Sequence, residues 1–171
     1  YLSAELSFFQ ITWARYFFTV FWTLPFIFFF FRKNLLWSQN PKLQILRGLT
    51  LFSANICFFY SISIISMAKA LTLAFVAPLV TTALSPILLG EKVGIKRWTA
   101  VIIGFLGTLI VIRPGFIEFN LATVAALATG CLYGVYLIIT RKLHSTDNPL
   151  LTLLLTGIVG ATVSTFFVPI V

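Results

Sequence analysis

Side chains able to carry out catalysis are few in this sequence and stand far apart. His144 is the only histidine, and both cysteines, Cys57 and Cys131, lie inside apolar runs. A zinc site needs several such ligands at short spacing, and a hydrolase needs a nucleophile beside a base. The acids are equally isolated, at the ends of apolar runs or between them: Glu5, Glu91, Glu118 and Asp147. These patterns predict that the chain is not an enzyme and holds no metal or cofactor.

Five residues inside apolar runs are candidates for contacting a small-molecule substrate: Arg15, Asn55, Thr81, Thr82 and Tyr133. A central arginine costs about 2.5–3.5 kcal/mol on membrane-insertion scales. Arg15 therefore either reaches outward to the interface or places a fixed positive charge near an anionic ligand. Asn55 either hydrogen-bonds a neighbouring helix or lines a cavity. Tyr133 flanks the close-packing pattern Gly130-x-x-x-Gly134 and is either a cavity wall or a lipid-facing side chain.

Two prolines, Pro78 and Pro86, interrupt the apolar run 70–89. Each removes a backbone hydrogen bond and bends a helix. The run is therefore either one kinked packing helix or a helix broken near the membrane midplane, which marks the substrate site in secondary transporters. Lys69 and Glu91 stand at its two ends and are candidates for a gate or a connecting loop. Glu91 is equally well explained as an interfacial acid among basic neighbours.

The elements that position these residues follow from the composition. Hydrophobic residues make up 60% of the chain and charged residues 9%, against about 45–50% and 25% in soluble domains. A bilayer is crossed by about 20 apolar residues in a helix, whereas barrel strands show a ten-residue alternation that is missing here. The sequence predicts an all-α integral membrane protein, a polytopic helical bundle. Its six predicted spans are Phe8–Phe31, Gly48–Ile65, Ala70–Leu89, Trp98–Ile112 (extended by Ile95–Arg97), Leu121–Thr140 and Leu150–Val171.

The net charge of +8 comes from 12 basic and 4 acidic residues. In a soluble protein such an excess favours a nucleic-acid partner, but here its position indicates membrane topology instead. Nine of the basic residues fall in the connections 32–47, 90–97 and 141–149, and two in the alternate connections. Because basic residues are retained on the cytoplasmic side, these three connections are predicted to be cytoplasmic in an inner (plasma) membrane. Residues 1–7 are then external, and the chain is expected to be a fragment that lacks a first helix.

Several short motifs in the middle of the chain follow one another in a recognisable order: Ala77-Pro78-Leu79, Leu88 to Gly94, Arg97-Trp98, Gly104 to Gly107 and Ile112 to Gly115. Over about residues 46–116 they resemble the EamA-type domain, the repeat unit of the drug/metabolite transporter superfamily. The resemblance implies ten helices in two inverted five-helix halves around a central cavity. It also implies that residues 1–116 are a first repeat without its first helix and that residues 117–171 begin a second repeat.

The stretch Ser66-Met67-Ala68-Lys69-Ala70 is similar to a branch of this family that includes carriers of S-adenosylmethionine-like metabolites. That branch often has an acid where Lys69 stands, which argues against a cationic substrate bound there. The resemblance implies a secondary transporter working by alternating access, and we expect an anionic or zwitterionic metabolite as its substrate. A non-transporting membrane scaffold or assembly subunit is the alternative, and a homodimer is one possible assembly. An intramembrane enzyme would need reactive residues outside this chain.

Overall fold

The computed structural model describes residues 8–30, 38–112, 120–144 and 146–167. These residues contain no strand and form seven helices: α1 Phe8–Phe30, α2 Pro41–Ile62, α3 Met67–Ala74, α4 Ala77–Leu89, α5 Ile95–Ile112, α6 Leu121–His144 and α7 Pro149–Phe167. Four helical stretches in this part of the chain are long and apolar enough to cross a membrane: 41–62, 67–89, 121–144 and 149–166. The other two predicted spans correspond to α1 and α5. The predicted all-α membrane fold is confirmed.

Local capping chemistry explains where helices begin and end. Asn148 Oδ1 accepts a hydrogen bond from the Leu150 N–H over 2.9 Å, which satisfies one of the unpaired donors at the start of α7. Pro149 occupies the first position of α7, where a missing N–H costs nothing. At the C-terminal end of α4, Gly90 adopts a left-handed φ of 68° and donates its N–H to the Pro86 carbonyl over 3.2 Å. The chain therefore turns at Gly90 because glycine accepts this conformation without strain.

Several boundaries predicted from hydropathy are wrong. Helix α2 begins at Pro41 rather than Gly48, so residues 41–47 of the predicted connection 32–47 are helical. Helix α6 continues to His144 rather than ending at Thr140. The run predicted as 70–89 begins at Met67 and is divided into α3 and α4. Hydropathy marks only the apolar stretch, whereas a helix continues through polar residues until a cap or a proline ends it. Some predictions concern residues outside the described ones: Glu5, Glu118, the segment 1–7 and the predicted end at Val171.

The first of two compact units comprises residues 1–52 and 139–171. In this unit, α1 packs closely against α7 because glycines of α7 face large side chains of α1. A Cβ on Gly160 would lie 2.5 Å from the ring of Tyr16, which is buried, and a Cβ on Gly157 would lie 2.8 Å from Val20. Small residues permit such close contact between membrane helices, where dispersion rather than water exclusion holds helices together.

The second unit comprises residues 53–138. In it, α6 passes directly over the junction between α3 and α4. A Cβ on Gly130 would lie 2.5 Å from Val76 and 2.7 Å from the Ala74 carbonyl oxygen, and a Cβ on Gly134 would lie 2.9 Å from the Ala77 carbonyl oxygen. The close packing predicted from this pair of glycines is confirmed. The predicted repeat boundary after residue 116 falls inside this unit and stays a prediction, because the units reflect compactness and not repeats.

Candidate functional site

The second unit contains a cavity of about 350 Å³, lined by residues of α2, α3, α4 and α6 and of the turn between α3 and α4. Most of its wall is apolar or aromatic and includes Phe58 and Phe75. Three polar side chains, Asn55, Thr129 and Tyr133, interrupt this wall. Sites for small organic ligands have this character, since apolar walls supply contact area and a few polar groups fix orientation. The cavity is therefore the candidate ligand site of the second unit.

The three polar residues of this wall have different surroundings. Thr129 is buried, and its hydroxyl lies 2.9 Å from the Ala125 carbonyl within α6 and 3.4 Å from the Ala54 carbonyl of α2. Asn55 is half-buried on α2. Tyr133 is 42% exposed, and its ring stacks on that of Tyr136 with the centroids 5.4 Å apart. An amide and an aromatic ring thus line one cavity, which suits a planar ligand with polar edges.

A break between two helices lies on the same cavity. Helix α3 ends at Ala74, and Phe75 and Val76 form a turn before α4 begins at Ala77. Pro78 stands in the first turn of α4 and has no N–H to donate to the Ala74 carbonyl. The break therefore lies directly before this proline. Pro86, predicted as a second break, instead lies within α4, which runs on to Leu89 because a single lost hydrogen bond near a helix end does not stop it.

Thr81 and Thr82, predicted to bind substrate, are not among the residues that line the cavity. The Thr81 hydroxyl lies 2.8 Å from the Ala77 carbonyl and 3.3 Å from the Gly134 carbonyl, so it links α4 to α6. Thr82 is buried in α4. Of the five predicted binding residues, the structure brings Asn55 and Tyr133 together on the cavity and uses Thr81 for helix packing.

Arg15 belongs to the first unit and is exposed on α1. Its guanidinium carbon lies 5.0 Å from the centroid of the Tyr16 ring, within the range of a cation–π contact. Lys69, predicted to lie in a connection, is an exposed residue in the first turn of α3. Both residues keep a cationic group at the surface of their own unit.

Glu91 follows the left-handed turn at the end of α4 and is tied to both neighbouring helices. Its Oε2 accepts a hydrogen bond from the Ser85 hydroxyl over 2.8 Å and lies 3.6 Å from Arg97 Nη1. Both side chains of the ion pair are about half exposed, so the pair contributes little free energy. It nevertheless fixes the geometry of the connection from α4 to α5.

A buried polar cluster in the first unit was not predicted from the sequence. Asp147, in the connection between α6 and α7, is 7% exposed. Its Oδ2 accepts hydrogen bonds from the Ser38 hydroxyl and, over 2.7 Å, from Gln44 Nε2. Its Oδ1 accepts one from the Gln39 N–H over 3.1 Å. Burial acts to raise the pKa of this carboxyl, but the hydrogen bonds together outweigh it and hold the pKa below its ordinary value.

Arg47 forms the second half of this cluster and is 5% exposed on α2. Its Nε donates to Thr140 Oγ1 over 2.7 Å. Its Nη1 donates to the Thr152 carbonyl over 2.9 Å and to the Thr156 hydroxyl. Arg47 therefore links α2, α6 and α7, although the sequence placed it in a connection.

A signal for this cluster existed in the spacing of the polar residues. Gln44 and Arg47 are three positions apart in α2, and Thr152 and Thr156 are four positions apart in α7. Such spacings place each pair on one face of its helix. The pattern was missed because α2 was predicted to begin after Arg47.

The EamA-like transporter family matches the chain over residues 1–113. The chain belongs to this family. It is 29% identical over 164 residues to the S-adenosylmethionine uptake transporter of Rickettsia prowazekii, and 31% identical over 164 residues to that of Rickettsia bellii. These matches cover 96% of this chain but 55% and 56% of the relatives, so the chain spans about half the length of the curated relatives it matches.

A shorter match of this EamA-family chain, over 81 residues, is 35% identical to the riboflavin transporter of Vibrio cholerae and covers 47% of the chain and 27% of that relative. No solved structure matches.

The resemblance predicted from the motifs is confirmed, and with its apolar helices the chain is a multi-pass membrane protein. Within the described ranges, no group of His, Cys, Asp and Glu side chains is placed to hold a metal ion.

Proposed function

We propose that the complete EamA-family protein is a secondary transporter that moves a small organic metabolite across the plasma membrane by alternating access. The observation that carries this proposal is the cavity of the second unit, where Asn55 and Tyr133 lie beside the break between α3 and α4. An apolar wall with one amide and one phenol is suited to hold an organic ligand.

The substrate class follows from the chemistry of this wall. The aromatic residues Phe58, Phe75 and Tyr133 offer ring faces, and Asn55 offers both a donor and an acceptor. A fused nitrogen heteroaromatic ring stacks on such faces and hydrogen-bonds at its edge. S-Adenosylmethionine and riboflavin, named for the relatives, both contain a ring of this kind. We infer a zwitterionic or anionic metabolite with such a ring, and Arg15, exposed on the first unit, is a separate candidate for contacting it.

Alternating access requires elements that move between two arrangements. In this proposal, the turn at Phe75 and Val76 is the point where α3 changes direction relative to α4. Thr81 and the two glycines of α6 hold α4 in place beside it. Glu91, joined to Arg97, acts in this proposal as part of the gate on the cytoplasmic side.

The test uses the full reading frame, reconstituted in vesicles, with labelled S-adenosylmethionine and labelled riboflavin as probes. Asn55→Ala removes one hydrogen-bonding amide and is expected to lower uptake about fivefold, which is the value of one typical hydrogen bond. Arg15→Ala is expected to lower uptake of S-adenosylmethionine, which carries a carboxylate, more than that of riboflavin, which is neutral. Gln39→Ala removes an amide from an exposed position and serves as the control.

Unchanged uptake in both Asn55→Ala and Arg15→Ala would remove these residues from the site. The scaffold alternative makes a different prediction, because a scaffold packs its polar residues dry. In an otherwise cysteine-free protein, Asn55→Cys is expected to react with a water-soluble thiol reagent if the cavity is solvent-accessible. Failure of that reaction, together with the lack of uptake of either probe, would favour the scaffold.

A further inference from the structure

A second, smaller cavity lies in the first unit beside the buried polar cluster. Its volume is about 220 Å³, and it is lined by residues from α2, from the end of α6 and from the start of α7. Since one water occupies about 30 Å³ of liquid, this space has room for a tetrahedral oxyanion and several waters. The transport proposal makes no use of it.

Two of the seven residues that line this cavity are arginines. Arg47, Arg141 and His144 line it, and Asp147 is the acid among the lining residues. With two guanidinium groups against one carboxylate, the lining is net positive even when the imidazole is neutral. A cavity with this balance attracts an anion.

The two arginines differ in how they are held. Arg47 is fixed in a buried position by donating to Thr140, Thr152 and Thr156, so little side-chain freedom remains to be lost when a ligand binds. Arg141 is exposed in the last turn of α6, where a ligand has access to it from solvent. One fixed and one accessible guanidinium form a combination suited to phosphate oxygens.

The negative charge of Asp147 is outweighed by the two guanidinium groups of the same wall. Its carboxylate accepts three hydrogen bonds, from Ser38, Gln39 and Gln44, and a carboxylate has about four acceptor positions. The group is thus held and stabilised by segment 38–44. Pro149, at the positive end of the α7 dipole, also lines the cavity. The dipole adds to the attraction that the arginines provide.

We propose that this cavity is a binding site for a phosphate group, with Arg47 and Arg141 as its principal donors and His144 at its rim. The phosphate belongs either to the headgroup of an anionic phospholipid or to a free phosphate compound. The connection 141–149 is predicted to be cytoplasmic, on the side where anionic lipids concentrate. This site is separate from the transport proposal and stands whether or not the second-unit cavity binds substrate.

The experiment uses the full-length protein and two probes. Inorganic phosphate is titrated into detergent-solubilised protein by calorimetry. Retention of phosphatidylglycerol against phosphatidylcholine is measured by native mass spectrometry. Arg141→Gln is the test variant, because this side chain is exposed and Arg47 donates hydrogen bonds to Thr140, Thr152 and Thr156. Binding of the probe is expected to weaken about tenfold, as for the loss of one charge-assisted donor.

Lys142→Gln is the matched control. It also removes one positive charge, and Lys142 is the neighbour of Arg141 but does not line the cavity. Its binding is expected to remain within twofold of wild type. Binding of inorganic phosphate supports a soluble ligand, and selective retention of phosphatidylglycerol alone supports a lipid headgroup. Equal weakening in both variants would show a general surface-charge effect and overturn the site, as would the failure of both probes to bind wild type.

Discussion

The guanidinium of Arg47 donates a hydrogen bond from Nε to Thr140 Oγ1 over 2.7 Å, which joins α2 to the last turns of α6. The same group reaches α7 through the Thr152 carbonyl and the Thr156 hydroxyl. One buried cation therefore connects three helices of the first unit. Hydrogen bonds made by charged groups contribute about 1.5–3 kcal/mol each, more than neutral ones. Arg47 is consequently a structural residue as well as a wall of the phosphate cavity.

We expect Arg47→Ala to lower the stability of the protein by about 2–4 kcal/mol, because several buried acceptors lose their donor at once. Arg47→Lys keeps the charge but loses the planar guanidinium, so its stability is expected to lie between that of wild type and that of Arg47→Ala. Thermal unfolding in detergent, followed by tryptophan fluorescence, measures the order. Lys42→Ala, at an exposed position of the same helix, is the control. A loss in that control as large as in Arg47→Ala would contradict the prediction.

Asp147 gives a prediction about pH. Its folded pKa lies below the ordinary value, so its carboxylate stabilises the folded state above the unfolded pKa of about 3.9. That stabilisation is lost as the pH falls through the folded pKa. We expect wild type to lose stability below about pH 4 relative to pH 7, and Asp147→Asn to show less of this dependence and lower stability at pH 7.

The control for that experiment is Glu91→Gln, since the Glu91 side chain is 45% exposed and its ion pair is screened by water. Its acid dependence is expected to match that of wild type. If Asp147→Asn instead retained the full wild-type dependence below pH 4, the hydrogen bonds from Ser38 and Gln44 would not be the cause.

Much of the fold was predictable because the bilayer limits the possible structures. Long apolar runs must form helices, since unpaired backbone groups are too costly in hydrocarbon. The pair Gly130 and Gly134 predicted close helix packing. Pro78 indicated that the run 70–89 forms either a kinked helix or a broken one. On the cavity, Asn55 and Tyr133 were predictable from their polarity inside apolar runs. The partner of each residue was not, because helix faces alone do not specify which helices meet.

The buried cluster was missed for a physical reason. Arg47 and Asp147 lie at the ends of apolar runs, where charges are ordinarily solvated, and they were counted as loop residues. Their partners are distant in sequence, since Ser38 and Asp147 are separated by 109 residues. A pattern within one segment cannot report such a contact. Buried charges are recognised from the groups that surround them, and those groups are known only from the folded chain.

The glycines of the second unit provide a test of packing. Gly130→Ala would place a Cβ 2.5 Å from Val76 and 2.7 Å from the Ala74 carbonyl oxygen. Because part of this obstacle is backbone, α6 must move away, and we expect a loss of about 1–3 kcal/mol in stability. Gly107→Ala in α5 is the control, since nothing lies within 4 Å of its Cβ position. It is expected to be neutral or stabilising by up to about 1 kcal/mol.

Thermal unfolding of the two alanine variants in the same detergent decides between packing and a general effect of helix propensity. Propensity alone would stabilise both variants. A destabilised Gly130→Ala beside an unchanged Gly107→Ala shows that the close approach of α6 to the α3–α4 junction matters. Two stabilised variants would show that α6 and the junction are not in such close contact.

The contribution of the Tyr133 ring to substrate binding can be measured from the KM for uptake. Tyr133 lines the cavity, and its ring stacks on that of Tyr136. If the ring binds substrate by stacking, Tyr133→Phe keeps the contact and is expected to transport near the wild-type rate. Tyr133→Ala loses this contact, and the KM for uptake is expected to rise about two- to tenfold, which corresponds to a stacking contribution of about 0.5–1.5 kcal/mol.

The control is Phe166→Ala, at an aromatic residue of α7 that is 81% exposed, and it is expected to leave the KM unchanged. Equal defects in Tyr133→Phe and Tyr133→Ala would assign the effect to the hydroxyl rather than the ring, and a wild-type KM in Tyr133→Ala would remove this cavity wall from the substrate path.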